Sequence, residues 1–315
     1  MDVVKSIVEI KGKIKELKEL SENGTEILNS EIIEYENKLS ELMQSLHLNL
    51  SPWQIVQLSR HPQRPVLQDY LARIFSNFVE LHGDRYFSDD KALIGGFAEI
   101  GEQKVMLIGH NKGKNTDESV ERNFGMVRPE GYRKALRLMK LAERFNIPII
   151  TFIDTPGAFP GKEAEERGQA EAIARNLTNM ISIEVPIISI VIGEGGSGGA
   201  LGIGVGDKIL MLSNAIYSVI SPEGCASILW RDAKYAPDAA EALNLTADSL
   251  LRLNVIDEII KEPDEGAHAH YQLTANAVKK SVLKHLRMLK RFSTEELIQA
   301  RFEKYAGIGK FSVTI

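Results

Sequence analysis

Val185-Pro186-Ile187-Ile188-Ser189-Ile190-Val191-Ile192 runs directly into Gly193-Glu194-Gly195-Gly196-Ser197-Gly198-Gly199-Ala200, and this junction decides the fold class. A near-continuous apolar run of strand length fits a strand covered on both faces, as in parallel sheets flanked by helices. Eight of the 25 glycines lie between Gly193 and Gly206, so the chain needs bare backbone just after that strand. If Ser197 to Val205 form a short helix, the N–H groups of Gly198 and Gly199 sit in its first turn, unpaired and at the positive end of the dipole. They would then cradle an oxyanion, while Gly202, Gly204 and Gly206 let the helix press on its neighbours. Small residues used only for close packing are the plainer reading of the same pattern.

The same residues fit two other motifs. Gly193, Gly195 and Gly198 match the dinucleotide fingerprint G-x-G-x-x-G. The next strand, however, begins near Lys208, too soon for a crossover helix, and no acidic residue follows at the ribose-binding distance. Gly195-Gly196-Ser197-Gly198-Gly199 also matches G-x-S-x-G, and Asp257 and His268 follow in the order of a hydrolase triad, so a serine hydrolase with Ser197 as nucleophile stays open. G-x-x-x-x-G-K-[ST] is absent, which leaves Asp154-Thr155-Pro156-Gly157 as a superficial echo of nucleotide hydrolases.

Outward from the junction, helical and strand patterns alternate. Strand patterns cover 92–100, 104–108, 148–153, 186–192, 208–212, 216–220 and 255–259. Helical patterns cover 130–145, 164–182, 222–230, turns within 237–253, and 271–291. That order predicts an α/β domain with parallel pairing over residues 91–293, followed by a tail at 294–315. Upstream, residues 51–90 read as a helical connector, with a capped start at Ser51-Pro52-Trp53, a stiff basic joint at 60–65 and a helix from Val66 to Leu81. Val3, Ile7, Ile10, Ile14 and Leu17 repeat at helical steps, as do Ile32, Tyr35, Leu39, Leu42 and Leu46 after Asn23-Gly24, which predicts a helical hairpin arm over 1–50. Its seam packs on its own core or on another chain.

With 315 residues, 43% apolar and 26% charged, and a net charge of −5, the composition is that of a globular chain large enough to bury a core. It disfavours disorder and a nucleic-acid footprint. One cysteine, Cys225, excludes a disulfide framework and a cysteine-based zinc site, and is read as a small buried residue. The N-terminus lacks an apolar leader region and no stretch of about 18 apolar residues follows, so the reading is cytoplasmic with no membrane partner. His268-Ala269-His270 lacks a nearby third ligand, so no metal site is expected. Basic residues cluster at 110–114 and again at Arg122, Arg128, Arg133, Lys134 and Arg137, on a scale that suits phosphate groups or an acidic protein domain. Lys112 and Lys114, on a glycine-containing loop after a strand, are the stronger candidates, with Arg128 beside them.

Pro186 to Asp207 resembles the crotonase superfamily, in which a strand of this form enters a Gly-Gly oxyanion loop and a short helix ending before an Asp. The position of the glutamate used by that superfamily's hydratases holds Leu201, which argues against hydration. Asp154-Thr155-Pro156-Gly157-Ala158-Phe159-Pro160-Gly161 taken with the 195–200 segment resembles the biotin-side half of the acyl-CoA carboxyltransferases. Extended over Trp53 to Arg64, Asn123-Phe124-Gly125-Met126, Pro129 to Arg133 and Ser221 to Ala226, the likeness is to the alpha-subunit family of bacterial acetyl-CoA carboxylase carboxyltransferases.

The resemblance implies a crotonase-like spiral of strand-strand-helix units with an N-terminal helical extension. It implies transfer of a carboxyl group from carboxybiotin, presented as co-substrate on a biotin carboxyl carrier protein, to acetyl-CoA to give malonyl-CoA for fatty acid synthesis. No side-chain base is needed on this route, and no cofactor is held by the chain itself. Gly198 and Gly199 would face the ureido oxygen of biotin, with Gly157 and Ala158 contributing a further amide. The second oxyanion hole and a zinc site would belong to a beta subunit in an alpha2-beta2 assembly, with biotin carboxylase in the wider complex and no nucleic acid needed. A scaffold that only braces a partner enzyme is the non-catalytic alternative.

Overall fold

The computed structural model describes residues 10, 12–14, 16–18, 31–38 and 50–309, and the chain divides into two compact units, residues 1–51 and 52–315. In the first unit the described residues at 10–18 and 31–38 are helical, with Ile10, Ile14 and Ile32 buried. Lys18 pairs with Glu36 at 2.8 Å and the Lys13 ammonium lies 5.4 Å from the centre of the Tyr35 ring. Val3, Ile7, Leu39, Leu42, Leu46 and the Asn23-Gly24 turn of the expected hairpin lie outside the described residues.

The second unit is built on one eight-stranded sheet: β1 Ser76–Glu80, β2 Leu93–Ile100, β3 Gln103–His110, β4 Ile149–Thr155, β5 Ile187–Gly196, β6 Lys208–Leu212, β7 Ile216–Ser218 and β8 Glu258–Ile260. The order is β1-β2-β3-β4-β5-β6-β8, with β7 also paired to β5. β1, β2 and β3 are antiparallel, and Gly101 takes φ +61° in the tight turn between Ile100 and Gln103. From β3 onward every pairing is parallel, and crossover helices at Pro129–Arg144 and Gln169–Ser182 bury the sheet. The apolar run at 187–192 is buried throughout, as a two-sided strand must be.

β5 changes partners halfway. Ile188 to Val191 pair with Lys208 to Met211 of β6, whereas Glu194 to Gly196 pair with Ile216 to Ser218 of β7. The glycine segment thus begins as strand, and the helix after it is shorter than expected, Ser197–Leu201. The strands expected over 216–220 and 255–259 are shorter, Ile216–Ser218 and Glu258–Ile260, and three further boundaries differ more. The helix expected over 66–81 is a helix at Leu67–Ile74 followed by β1, because Phe75 turns extended and Asn77 takes φ +52°. The helix expected over 164–182 is two, Lys162–Glu166 and Gln169–Ser182, broken at Gly168 with φ +81°. The expected tail carries a capped helix at Thr294–Ala306.

Candidate functional site

β4 and β5 are adjacent and parallel, so their C-terminal ends deliver two loops to the same place: Pro156-Gly157-Ala158 after β4 and Ser197-Gly198-Gly199 after β5. Glycine is what lets them meet. A Cβ on Gly199 would stand 2.4 Å from the Gly157 carbonyl carbon and 2.5 Å from the Ala158 nitrogen, and one on Gly196 would stand 2.2 Å from the Pro156 oxygen. Gly198 differs, since a Cβ there meets only the Ile173 side chain, at 3.8 Å. Its glycine is not demanded by packing.

These loops line a cavity of about 680 Å³ together with Phe159, Gln169 and Ile173. Among the described residues no acceptor takes the N–H of Ala158, Gly198 or Gly199, whereas the Gly157 N–H is occupied by Thr155 Oγ1 at 3.2 Å. Of the two amides considered in the 157–158 loop, Ala158 is the one left available. Three unpartnered amides beside one cavity suit an oxyanion. Behind them, Tyr132 donates its hydroxyl to the Gly199 carbonyl at 3.2 Å, and buried Asn176 donates to the carbonyls of Gly202 and Tyr132 at 2.8 and 3.0 Å. The short helix is thereby fixed to both long crossover helices.

The roots of the loops are joined by one ammonium. Lys112 Nζ lies 3.3 Å from Asp154 Oδ1, at the end of β4, and 2.9 Å from Glu194 Oε2, at the end of β5. Asp154 Oδ1 also accepts the Glu194 N–H at 3.0 Å, and a Cβ on Gly193 would stand 2.4 Å from that oxygen. Arg60 extends the network, reaching Glu194 at 2.7 Å and Glu223 at 2.5 Å. Burial opposes charge here, but Asp154 and Glu194 outweigh it and hold Lys112 above the usual lysine range, while Lys112 and Arg60 hold the buried Glu194 below the usual carboxylate range. His110, also at the strand ends, accepts the Asp154 N–H on Nδ1 at 3.3 Å, and burial pushes its pKa down to about 3, so it stays neutral at physiological pH.

The basic residues chosen from the sequence are therefore largely engaged. Lys112 bridges two carboxylates, Lys114 pairs with Asp69 at 2.7 Å, and the Arg128 guanidinium lies over the Phe159 ring at 4.6 Å. Asp154 and Glu194 were missed; the available signal was an acid at the end of an otherwise apolar strand. The hydrolase triad does not assemble. Ser197 is exposed beside the cavity, but Asp257 pairs with Lys304 and Lys208, and His268 stacks on His61, which lines a different cavity of about 290 Å³. Leu201 lines an apolar hollow on the other side of Gly198, beside Tyr217 and Val219. Cys225 is buried. Among the described residues no cluster of three His, Cys, Asp or Glu is placed to hold a metal ion, and no helix is long and apolar enough to cross a membrane.

A family model described as acetyl co-enzyme A carboxylase carboxyltransferase-like matches residues 1–309. The chain is 53% identical over 312 residues to the acetyl-coenzyme A carboxylase carboxyl transferase subunit alpha of Geobacter metallireducens, covering 99% of this chain and 98% of that protein. It is 55% identical over 304 residues to the protein of the same name from Alcanivorax borkumensis, covering 96% of this chain and 94% of that one. Among solved structures, transcarboxylase 12S superposes with a TM-score of 0.56 at 17% identity over 79% of this chain, which spans 43% of that longer one. A Pseudomonas malonate decarboxylase hetero-tetramer superposes with a TM-score of 0.54 at 16% identity, covering 68% of this chain and 87% of that one. These likenesses establish the fold, α/β and crotonase-like, as the sequence led one to expect.

Proposed function

Since the chain belongs to the acetyl co-enzyme A carboxylase carboxyltransferase-like family, we propose that its amide cradle is the biotin-side half of the active site. The chain is the alpha-type subunit of a biotin-dependent carboxyltransferase that forms malonyl-CoA from acetyl-CoA in fatty acid synthesis. In this reading carboxybiotin is a co-substrate carried by a biotin carboxyl carrier protein, and it supplies both the carboxyl group and, after releasing it, the base for the acetyl methyl group. The work left to this chain is positioning and anion stabilisation.

Gly198 and Gly199, with Ala158 opposite, donate their N–H groups to the ureido oxygen, where negative charge gathers as the carboxyl group leaves. The fit rests on one observation: three amides with no acceptor of their own border a single cavity. Leu201 in place of an acid agrees with a route that borrows no side-chain base. The thioester hole, the zinc site and acyl selectivity are assigned to a beta subunit in an alpha2-beta2 assembly, with biotin carboxylase in the wider, cytoplasmic complex.

Gly198→Val tests the cradle, because the structure has room for its side chain, which would point toward Ile173 on the wall of the same cavity and narrow it. In the chain coexpressed with its partner, malonyl-CoA formation is expected to fall at least about 100-fold. The N–H remains, but the side chain obstructs the approach of the anion to it, an effect on the scale of losing an oxyanion donor. Assembly and melting temperature should stay close to wild type. Full activity in a correctly assembled Gly198→Val enzyme would refute the role.

A further inference from the structure

A second concavity, of about 550 Å³, adjoins the cradle cavity: Glu171 lines both. Six cations line it, Arg85, Arg133, Arg137, Lys140, Arg167 and Arg175, against only two acids, Asp84 and Glu171. The excess is local, since the chain as a whole carries −5. Arg133 and Arg167 are neutralised in place, by Asp84 at 2.8 Å and Glu130 at 3.0 Å. Lys140 and Arg175 also have carboxylate partners, Glu143 at 3.0 Å and Glu171 at 3.7 Å, whereas among the described residues Arg85 and Arg137 form no ion pair. Both donate to the same backbone oxygen, that of His82, at 2.7 and 3.2 Å, and Arg137 gives its Nε–H to the Gly83 carbonyl at 3.0 Å. Burial, with the neighbouring Arg85 charge, lowers the Arg137 pKa. Asp89 and Asp84 offset this only in part, so two guanidiniums held together on neutral carbonyls present a charge that an incoming anion relieves.

The rim is aromatic as well as basic. Tyr86 is 86% exposed and Phe87 62% exposed, each with a guanidinium over its ring, Arg133 at 5.3 Å and Arg167 at 4.8 Å. Arginine with exposed aromatic rings is the composition of a protein-docking hot spot rather than of a small-anion pocket. We propose that this groove is the landing surface for an acidic face of the carrier domain, which sets the carrier down beside the cradle so that its biotin arm enters the adjoining cavity. The proposal rests on the cradle being the biotin side. The other anionic candidate is the phosphate tail of the acyl-CoA, and it is disfavoured because that reading places the thioester on the partner chain.

The test uses the enzyme assembled with its partner and follows carboxyl transfer from malonyl-CoA to either carrier-borne biotin or free biotin. Arg85→Glu/Arg175→Glu should raise the KM for the carrier about tenfold, with a steeper loss at low salt than at high salt, while KM and kcat for free biotin stay within about twofold. Arg85→Gln/Arg175→Gln, which removes charge without reversing it, should move the carrier KM in the same direction by about threefold and covers a reversal variant that fails to assemble. An unchanged carrier KM overturns the groove as a docking site, and a rise in the KM for malonyl-CoA instead assigns it to the phosphate tail and likewise overturns the proposal. Wild-type enzyme inactive on free biotin would sink the cradle reading itself, and with it this inference.

Discussion

Lys112 shows what one buried ammonium does at the junction of two strands. Sequence position alone placed it on a loop after a strand and so made it a candidate for binding phosphate groups or an acidic protein domain. The structure gives it another task, for its charge sits between Asp154 and Glu194, the residues from which the two amide loops spring. Removing it leaves two buried carboxylates facing each other, a costly arrangement that relaxes by movement of one strand end against the other. Because displacement by about 1 Å can cost on the order of 100-fold in rate, Lys112→Met is expected to lower kcat at least tenfold while the KM for acyl-CoA moves less than about twofold. Lys112→Arg, which keeps the charge, should recover a large part of kcat. A variant with normal kcat and a raised KM would return Lys112 to substrate binding.

The Thr294–Ala306 helix carries the same lesson at the level of an element. Its apolar residues do not all face the core, since Phe302 is exposed, and its most buried residue is a cation: Arg301 is 1% exposed. The guanidinium donates to the carbonyls of Met180, Ile183 and Val185 and pairs with Asp207 at 2.8 Å. Met180 and Ile183 stand at the C-terminal end of the Gln169–Ser182 helix, where the Met180 carbonyl otherwise takes only the Ile183 N–H at 3.4 Å, and Asp207 also accepts the N–H that starts β5. Arg301→Met should therefore cost about 3–5 kcal/mol in urea denaturation, against under about 0.5 for the exposed Gln299→Ala on the same helix. A loss below about 1 kcal/mol would show that the clamp is dispensable. Elements driven by apolar period were legible beforehand: β5, the helix at 129–144 and the β2–β3 hairpin lie within a few residues of their expected bounds. Missed boundaries have local causes. Ile74, Phe78 and Leu81 keep helical spacing through what is really β1, and a left-handed glycine at 168 divides a pattern that reads as continuous. The cradle glycines stood out by composition, whereas the Lys112 bridge and the Arg85–Arg137 pair join residues distant in sequence and carry no one-dimensional mark.

Across the whole molecule, ion pairs recur where segments remote in sequence meet. Arg64 and Glu262 pair at 2.7 Å in the core, Lys134 reaches Asp89 at 2.5 Å, and Glu258 at the start of β8 binds Ser281, Lys284 and His285 of the Tyr271–Leu289 helix. Although burial opposes it, Lys134 and neighbouring donors hold the Asp89 pKa down to about 2, and Lys284 with Ser281 and His285 does the same for Glu258. A carboxylate whose folded pKa lies below its unfolded value, roughly 4, contributes its full stabilisation above that value and loses it as pH falls toward 2. Melting temperature should accordingly be flat from about pH 6 upward and drop steeply below about pH 4.5. Glu258→Gln carries no titrating carboxyl, so it should be less stable than wild type at pH 7 yet lose less on going from pH 7 to pH 3. An acid limb of equal slope in the two proteins would show that the grip of β8 on its helix does not depend on that charge.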